Sequence, residues 1–198
     1  MSKRSFWRMS IVACALTLGG CGGLLPRPQT NRVVMHDFGP APRYHALVSS
    51  PVTAWVTSVP WLAGTQIDYR LLYEDPTAVH SYADNRWLAP PAQLLEARLH
   101  ARLGGIAPLA SGARMRLVVT ILRFGQDFSS PDHALAHIEL EARLMSLTSN
   151  AVIARHITDI AVPCAPDAGG AVKGLSRAAR RAVDDLAAFV SAQAKDRG

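Results

Sequence analysis

Side chains able to do covalent or acid–base chemistry are few and scattered in this 198-residue chain. His133 and His137 stand at the i,i+4 spacing that helical zinc motifs use, but Ala134 occupies the position where such a motif needs its glutamate base. The pair also follows Pro131-Asp132, at the start of a strand-like stretch. Gly174-Leu175-Ser176-Arg177 repeats the letters of a nucleophile elbow. That device needs a strand-to-helix turn, whereas Ser176 lies inside a helical pattern. No glycine loop for phosphate is present. His36, His45, His80, His100 and His156 show no ligand spacing. No nucleophile, base and acid can be assembled into one set, so no catalytic residue, no metal site and no cofactor is expected. Three thiols remain, on Cys14, Cys21 and Cys164.

Of the three, Cys21 has a defined chemical setting. Lys3, Arg4 and Arg8 precede an uncharged run from Met9 to Leu18. A basic head followed by about ten apolar residues has the form of a signal peptide and is too short to span a bilayer. Leu18-Gly19-Gly20-Cys21 then resembles the lipobox of bacterial lipoproteins. Slim residues admit the peptidase between Gly20 and Cys21, and the thiol is the atom that takes a diacylglyceryl group. An ordinary signal peptide with a chance cysteine is the competing reading; the position of Cys21 at the end of the apolar run favours the lipobox. Acyl burial is worth about 0.8 kcal/mol per methylene and one chain holds only marginally, so stable attachment takes two or more. No cofactor is therefore expected beyond a covalent lipid, such as palmitate, on Cys21.

Residues 1–20 read as the leader, 21–32 as lipidated cysteine and tether, and 33–198 as one domain. The Pro/Gly-punctuated tether Gly22–Arg32 reaches roughly 35–40 Å when extended. Lys3, Arg4 and Arg8 account for three of the formal charge of +6, leaving about +3 after cleavage. With no basic tract interleaved with aromatics, nucleic acid is not expected as a partner. Cys14 departs with the leader and Cys21 is acylated, so Cys164 has no partner for an internal disulfide; burial is the favoured reading and pairing between chains the alternative.

Periodicity gives the elements that must position everything else. Strands are expected at Val33–Phe38, Val52–Val59 and Gln66–Tyr73, the last with Ile67, Tyr69, Leu71 and Tyr73 on one face. A short strand is expected near Val79–Ala83. Pro90-Pro91 open a helix whose stripe is Ala92, Leu95, Leu99 and Leu103, ended by Gly104-Gly105. Met115–Phe124, His137–Leu147 and Ala151–Val162 alternate as strands, with Thr148-Ser149-Asn150 turning the last pair. Ala171 to Ala194 steps apolar residues by three or four as a terminal helix. Its Arg180–Asp184 and Arg181–Asp185 spacings predict i,i+4 ion pairs on a solvated face. The expectation is an α/β domain: one mixed sheet of six or seven strands with two principal amphipathic helices packed on it.

The order of features from Val59 to Leu103 carries a resemblance. Pro60-Trp61-Leu62-Ala63-Gly64 precedes a strand ending Ile67-Asp68-Tyr69-Arg70; Asn85-Arg86-Trp87 and Ala89-Pro90-Pro91 then lead into the leucine helix. Arg123-Phe124 with Gln126 and Phe128, a charged-alternating hairpin and an Ala-rich last helix come next. With the lipobox, this resembles the ABC-type transport auxiliary lipoprotein family, which includes the lipoprotein of the paraquat-inducible operon. Leu88 departs from it, where a small residue is common. The resemblance implies a layered αβ domain and a partner instead of a reaction: an MCE-domain protein with its ABC ATPase and permease, moving lipid between membranes. By likeness to enteric-type lipoproteins, the absence of Asp after Cys21 implies the outer membrane, facing the periplasm. A homo-oligomeric ring would suit a docking collar. Trp61, Tyr69, Tyr73 and Trp87 form either a packed strand–helix junction or an aromatic patch at an interface. Pro60, Trp61 and Leu62, at a loop tip, are the residues expected to touch the partner, with Trp87 a further candidate. An assembly factor for another envelope machine and a periplasmic hydrolase are the alternatives.

Overall fold

The computed structural model describes residues 32–42, 52–104 and 115–195. The expected leader, Cys21 and most of the expected tether lie outside the described residues, as do His45 and Gly105. The strands run β1 (Val34–His36), β2 (Val52–Ser58), β3 (Gln66–Leu71), β4 (His80–Trp87), β5 (Met115–Ser130), β6 (His133–Ser146) and β7 (Val152–Cys164). The helices are α1 (Pro91–Leu103) and α2 (Ala168–Lys195). All seven strands belong to one mixed sheet in the order β1-β4-β3-β5-β6-β7, with β2 also paired to β5. The expected α/β architecture is the one found.

Strand β6 shows why the sheet has one covered face. Ala134, Ala136, Ile138, Leu140, Ala142 and Leu144 are buried, while the intervening Leu135, His137, Glu139, Glu141 and Arg143 are partly or fully open. Period-two patterning of this kind sends every second residue to the core. Helix α2 lies across β5, β6 and β7, and α1 packs on β2 and α2. The buried stripe of α1 is Ala92, Leu95, Leu99 and Leu103, as its spacing requires. Pro91 opens it at a position where no amide is needed, and Gly104, at φ 80°, ends it by returning its N–H to the His100 carbonyl. Helix α2 begins at Ala168, three residues before its apolar stripe. Asp167 caps it, accepting the Gly170 N–H at 2.6 Å, so Gly169-Gly170 are helical.

The structure alters three expectations. Strand β3 stops at Leu71, and Tyr73 is exposed in the following turn because the chain reverses through residues 72–74. Strand β4 runs to Trp87 instead of ending near Ala83. The carboxylates of α2 face neighbouring elements: Asp184 meets Arg102 of α1 at 3.0 Å, and Asp185 accepts from Thr158 at 2.6 Å and contacts His156 at 2.8 Å. These partners, fixed by packing, take the place of the flexible i,i+4 arginines. Arg180 remains exposed.

Candidate functional site

The 16-residue strand β5 is long enough to take two partners end to end on one edge. β2 runs parallel to its first half, Val52–Ser58 against Met115–Ile121. β3 runs parallel to its second half, Tyr69–Leu71 against Gln126–Phe128. Between them the chain leaves the sheet at Val59, whose N–H still donates to the Ile121 carbonyl at 3.0 Å. Pro60–Leu62 forms a single 3-10 turn, with Pro60 at its first position and Ala63 N–H closing on the Pro60 carbonyl at 3.2 Å. Proline fixes φ there and gives up an amide the turn does not use.

No residue of β2 or β3 is registered against positions 122–125 of β5. Opposite that gap the β5–β6 ladder slips: Ile121 pairs with Leu140 and Arg123 with Glu139, leaving Leu122 as a bulge. A bulge swaps the faces of the strand residues beyond it. Phe124, Gln126 and Phe128 therefore inherit the covered face from Ile121, and Arg123, Gly125 and Asp127 take the open one. Gly125 lets β3 close in, since a Cβ there would lie 3.0 Å from the Asp68 carbonyl oxygen. The result is a cavity of about 280 Å³ walled by Trp61, Leu62, Val79, Leu122 and Phe124, with Arg70, Arg123, Asp68 and Asp127 also lining it.

The turn divides its residues. Leu62 packs against the core, Pro60 is exposed, and Trp61 is 72% exposed, the largest fraction among the exposed large hydrophobic residues of the described chain. Trp87, the further candidate for a partner contact, is corrected: it is fully buried. Because β4 continues to position 87, the ring turns inward to meet Phe38 edge-on at 5.4 Å and Phe124 at 5.8 Å. Sequence reasoning missed Trp55, which stands on the open face of β2 between Ala54 and Val56 and is 59% exposed. The signal was there, since a tryptophan out of phase with Val52, Ala54 and Val56 must face away from the helices.

Beside the cavity, the Asp127 carboxylate is buried and receives Arg123 Nη2 at 2.6 Å and His137 Nδ1 at 3.0 Å. The other ring nitrogen of His137 meets Asp159 at 2.6 Å. Both ring nitrogens thus lie within hydrogen-bond distance of a carboxylate, so neither is turned toward the cavity as a free group. Among the described residues no hydroxyl or thiol is hydrogen-bonded to His137, so this run of hydrogen bonds braces β5, β6 and β7 and forms no nucleophile–base pair. His133 contacts Ser130 Oγ at 2.9 Å. Ser176 donates to the Val172 carbonyl at 2.7 Å within α2. Among the described residues no group of histidine, cysteine and acidic side chains could hold a metal ion.

On the covered face, Tyr82 donates to Gln126 Oε1 at 2.6 Å, and Gln126 donates to the Ala165 carbonyl at 2.7 Å and to Cys164 Sγ at 3.3 Å. Burial pushes the Tyr82 phenol up, with Tyr69 nearby adding to the effect. Cys164 is half-buried, and that burial likewise raises its thiol above the ordinary range, outweighing the Gln126 hydrogen bond. A thiol kept neutral is a poor nucleophile.

The model of the ABC-type transport auxiliary lipoprotein component matches residues 54–187, from the middle of β2 to the sixth turn of α2. The chain belongs to that family. Among curated proteins no relative matches. The fold recurs in a crystallised Xanthomonas campestris protein of the DUF330 family, 19% identical, with a TM-score of 0.68 over 82% of this chain and 98% of that one. A Caulobacter crescentus protein described as a candidate lipoprotein aligns at 18% identity over 54% of this chain and 85% of its own, with a TM-score of 0.44. The matched stretch contains the Pro60–Leu62 turn, the residues lining the cavity and the bulge.

Proposed function

We propose that this family member is a non-enzymatic lipoprotein held through Cys21 to the periplasmic side of the outer membrane, where it docks the MCE-domain partner of an ABC-type lipid transport system. The observation that carries the docking role is Trp61. A large aromatic side chain is held 72% open on a proline-fixed turn, beside a cavity lined by both apolar and charged side chains. Such a group costs little conformational entropy to bury, and tryptophan in a partner's pocket is a frequent source of binding energy. The braced histidine supports a binding role over a hydrolytic one, since its ring nitrogens are both committed.

The test is co-purification of the detergent-solubilised lipoprotein with its MCE partner. Trp61→Asp is expected to lower the recovered partner at least tenfold, about 1.4 kcal/mol or more, with an unchanged circular dichroism spectrum. Undiminished recovery would remove Trp61 from the interface.

A further inference from the structure

A second groove, of about 490 Å³, opens between residues 35–39 and the Val172–Arg180 stretch of α2. Its helical wall carries Lys173, Arg177 and Arg180, all exposed and spaced to share one side of α2. Arg98 of α1, half-buried and outside this lining, donates to the Gly39 carbonyl at the groove's edge. Arg177 donates to the Pro163 carbonyl at 2.7 Å. Both acceptors are neutral, so the positive charge is not cancelled. Asp37 is the carboxylate in the groove, and its Oδ1 is engaged by the Gly39 N–H at 2.7 Å. Among the described residues no ion pair includes any of these four cations.

Met35 lines the groove's other wall, and exposed apolar residues precede it in the chain. Val33, Val34 and Met35 are each about half open, at 47%, 48% and 50%. Val33 also follows Cys21 by only twelve residues. A chain of that length spans at most about 40 Å, so the groove's apolar wall cannot travel far from the anchored sulfur.

We infer that this groove face rests on the anionic phospholipid of the membrane that holds Cys21. Lys173, Arg177 and Arg180 meet headgroup phosphates, and Met35, with Val33 two residues before it, sits at the interfacial level. The assignment rests on the lipid-anchor reading above. Each basic side chain near an anionic surface strengthens attachment about fivefold, and salt screens the attraction within a Debye length. This leaves the Trp61 turn, on a different element, for the protein partner.

Lys173 and Lys195 are the lysines that follow Cys21, so an amine-acylating reagent reads the groove against an internal reference. The full lipidated protein is placed in vesicles of phosphatidylcholine, or of phosphatidylcholine with about a third phosphatidylglycerol, and the labelling of the two lysines is followed by mass spectrometry. In the anionic vesicles Lys173 is expected to react at least about fivefold more slowly relative to Lys195. Raising the salt to about 0.5 M, or making the exposed-site changes R177Q and R180Q, is expected to restore the rate. A ratio that is the same in both vesicle types while the protein floats with them would overturn this inference and leave the anchor standing. Protection that requires an added acidic protein would overturn it in favour of a protein partner. Failure to float at all would overturn the anchor and this inference together.

Discussion

Removing the Trp87 indole would empty a fully buried site between Phe38 and Phe124. Trp87→Ala is therefore expected to cost about 3–5 kcal/mol, read as a lower midpoint in urea. A loss under about 1 kcal/mol would show the surrounding core to be soft enough to collapse around the gap. The indole N–H has no hydrogen-bond partner, so the residue contributes by packing and not by polar bonding. Trp61, 26 positions earlier, has the same side chain and the opposite exposure. Composition cannot separate the two, because both lie near prolines in an aromatic-rich span. The direction of each ring is set by where its strand ends: β2 releases the chain before Trp61, while β4 holds it through Trp87. Cys164 belongs to the same scale. Its raised pKa leaves little thiolate below the ordinary cysteine range, so it should react with a disulfide reagent more slowly at about pH 8 than the same thiol in the urea-unfolded chain. Equal rates would show the half-buried thiol to be fully accessible.

At the level of elements, close approach decides more than propensity does. Gly174 lies within α2, where alanine would favour the helix by about 1 kcal/mol. A Cβ there, however, would lie 2.7 Å from the Ala136 Cβ and 2.8 Å from the Cys164 Cβ, distances that real carbon atoms do not keep. Overpacking of this kind costs about 1–3 kcal/mol, so Gly174→Ala is expected to destabilise by thermal melting despite its better propensity. A gain in stability would mean that α2 can lift from β6 and β7 freely. The same packing explains which elements are legible in the sequence. The α1 stripe and the β6 alternation stand out because each repeats its period without interruption. β5 is legible only to Phe124, since the bulge at Leu122 shifts the phase and the polar Gln126, Asp127 and Ser129 then take up strand positions. The cavity is illegible for a related reason. It exists because two separate strands meet one long neighbour, and no local pattern reports that register. The start of α2 is hidden by Gly169-Gly170, which read as a break until Asp167 is seen to cap them.

Across the whole molecule, two attachments of unlike physical character are assigned to one membrane, and they can be told apart. No helix among the described residues is long and apolar enough to cross a bilayer. Acyl chains contribute about 0.8 kcal/mol per methylene and are indifferent to salt. The groove's three basic side chains, Lys173, Arg177 and Arg180, contribute about 1 kcal/mol each at most, and that contribution falls as ionic strength rises. Wild-type protein should therefore stay in the membrane fraction through a high-salt wash. Cys21→Ser should lose labelled palmitate and move largely to the soluble fraction, and whatever remains should come off at about 0.5 M salt. Palmitate still incorporated by that variant would place the lipid on another atom. Retention that survives salt without palmitate would point instead to an uncleaved leader, because neither the basic groove nor the exposed residues of β1 bury enough apolar surface to hold the domain once the phosphates are screened.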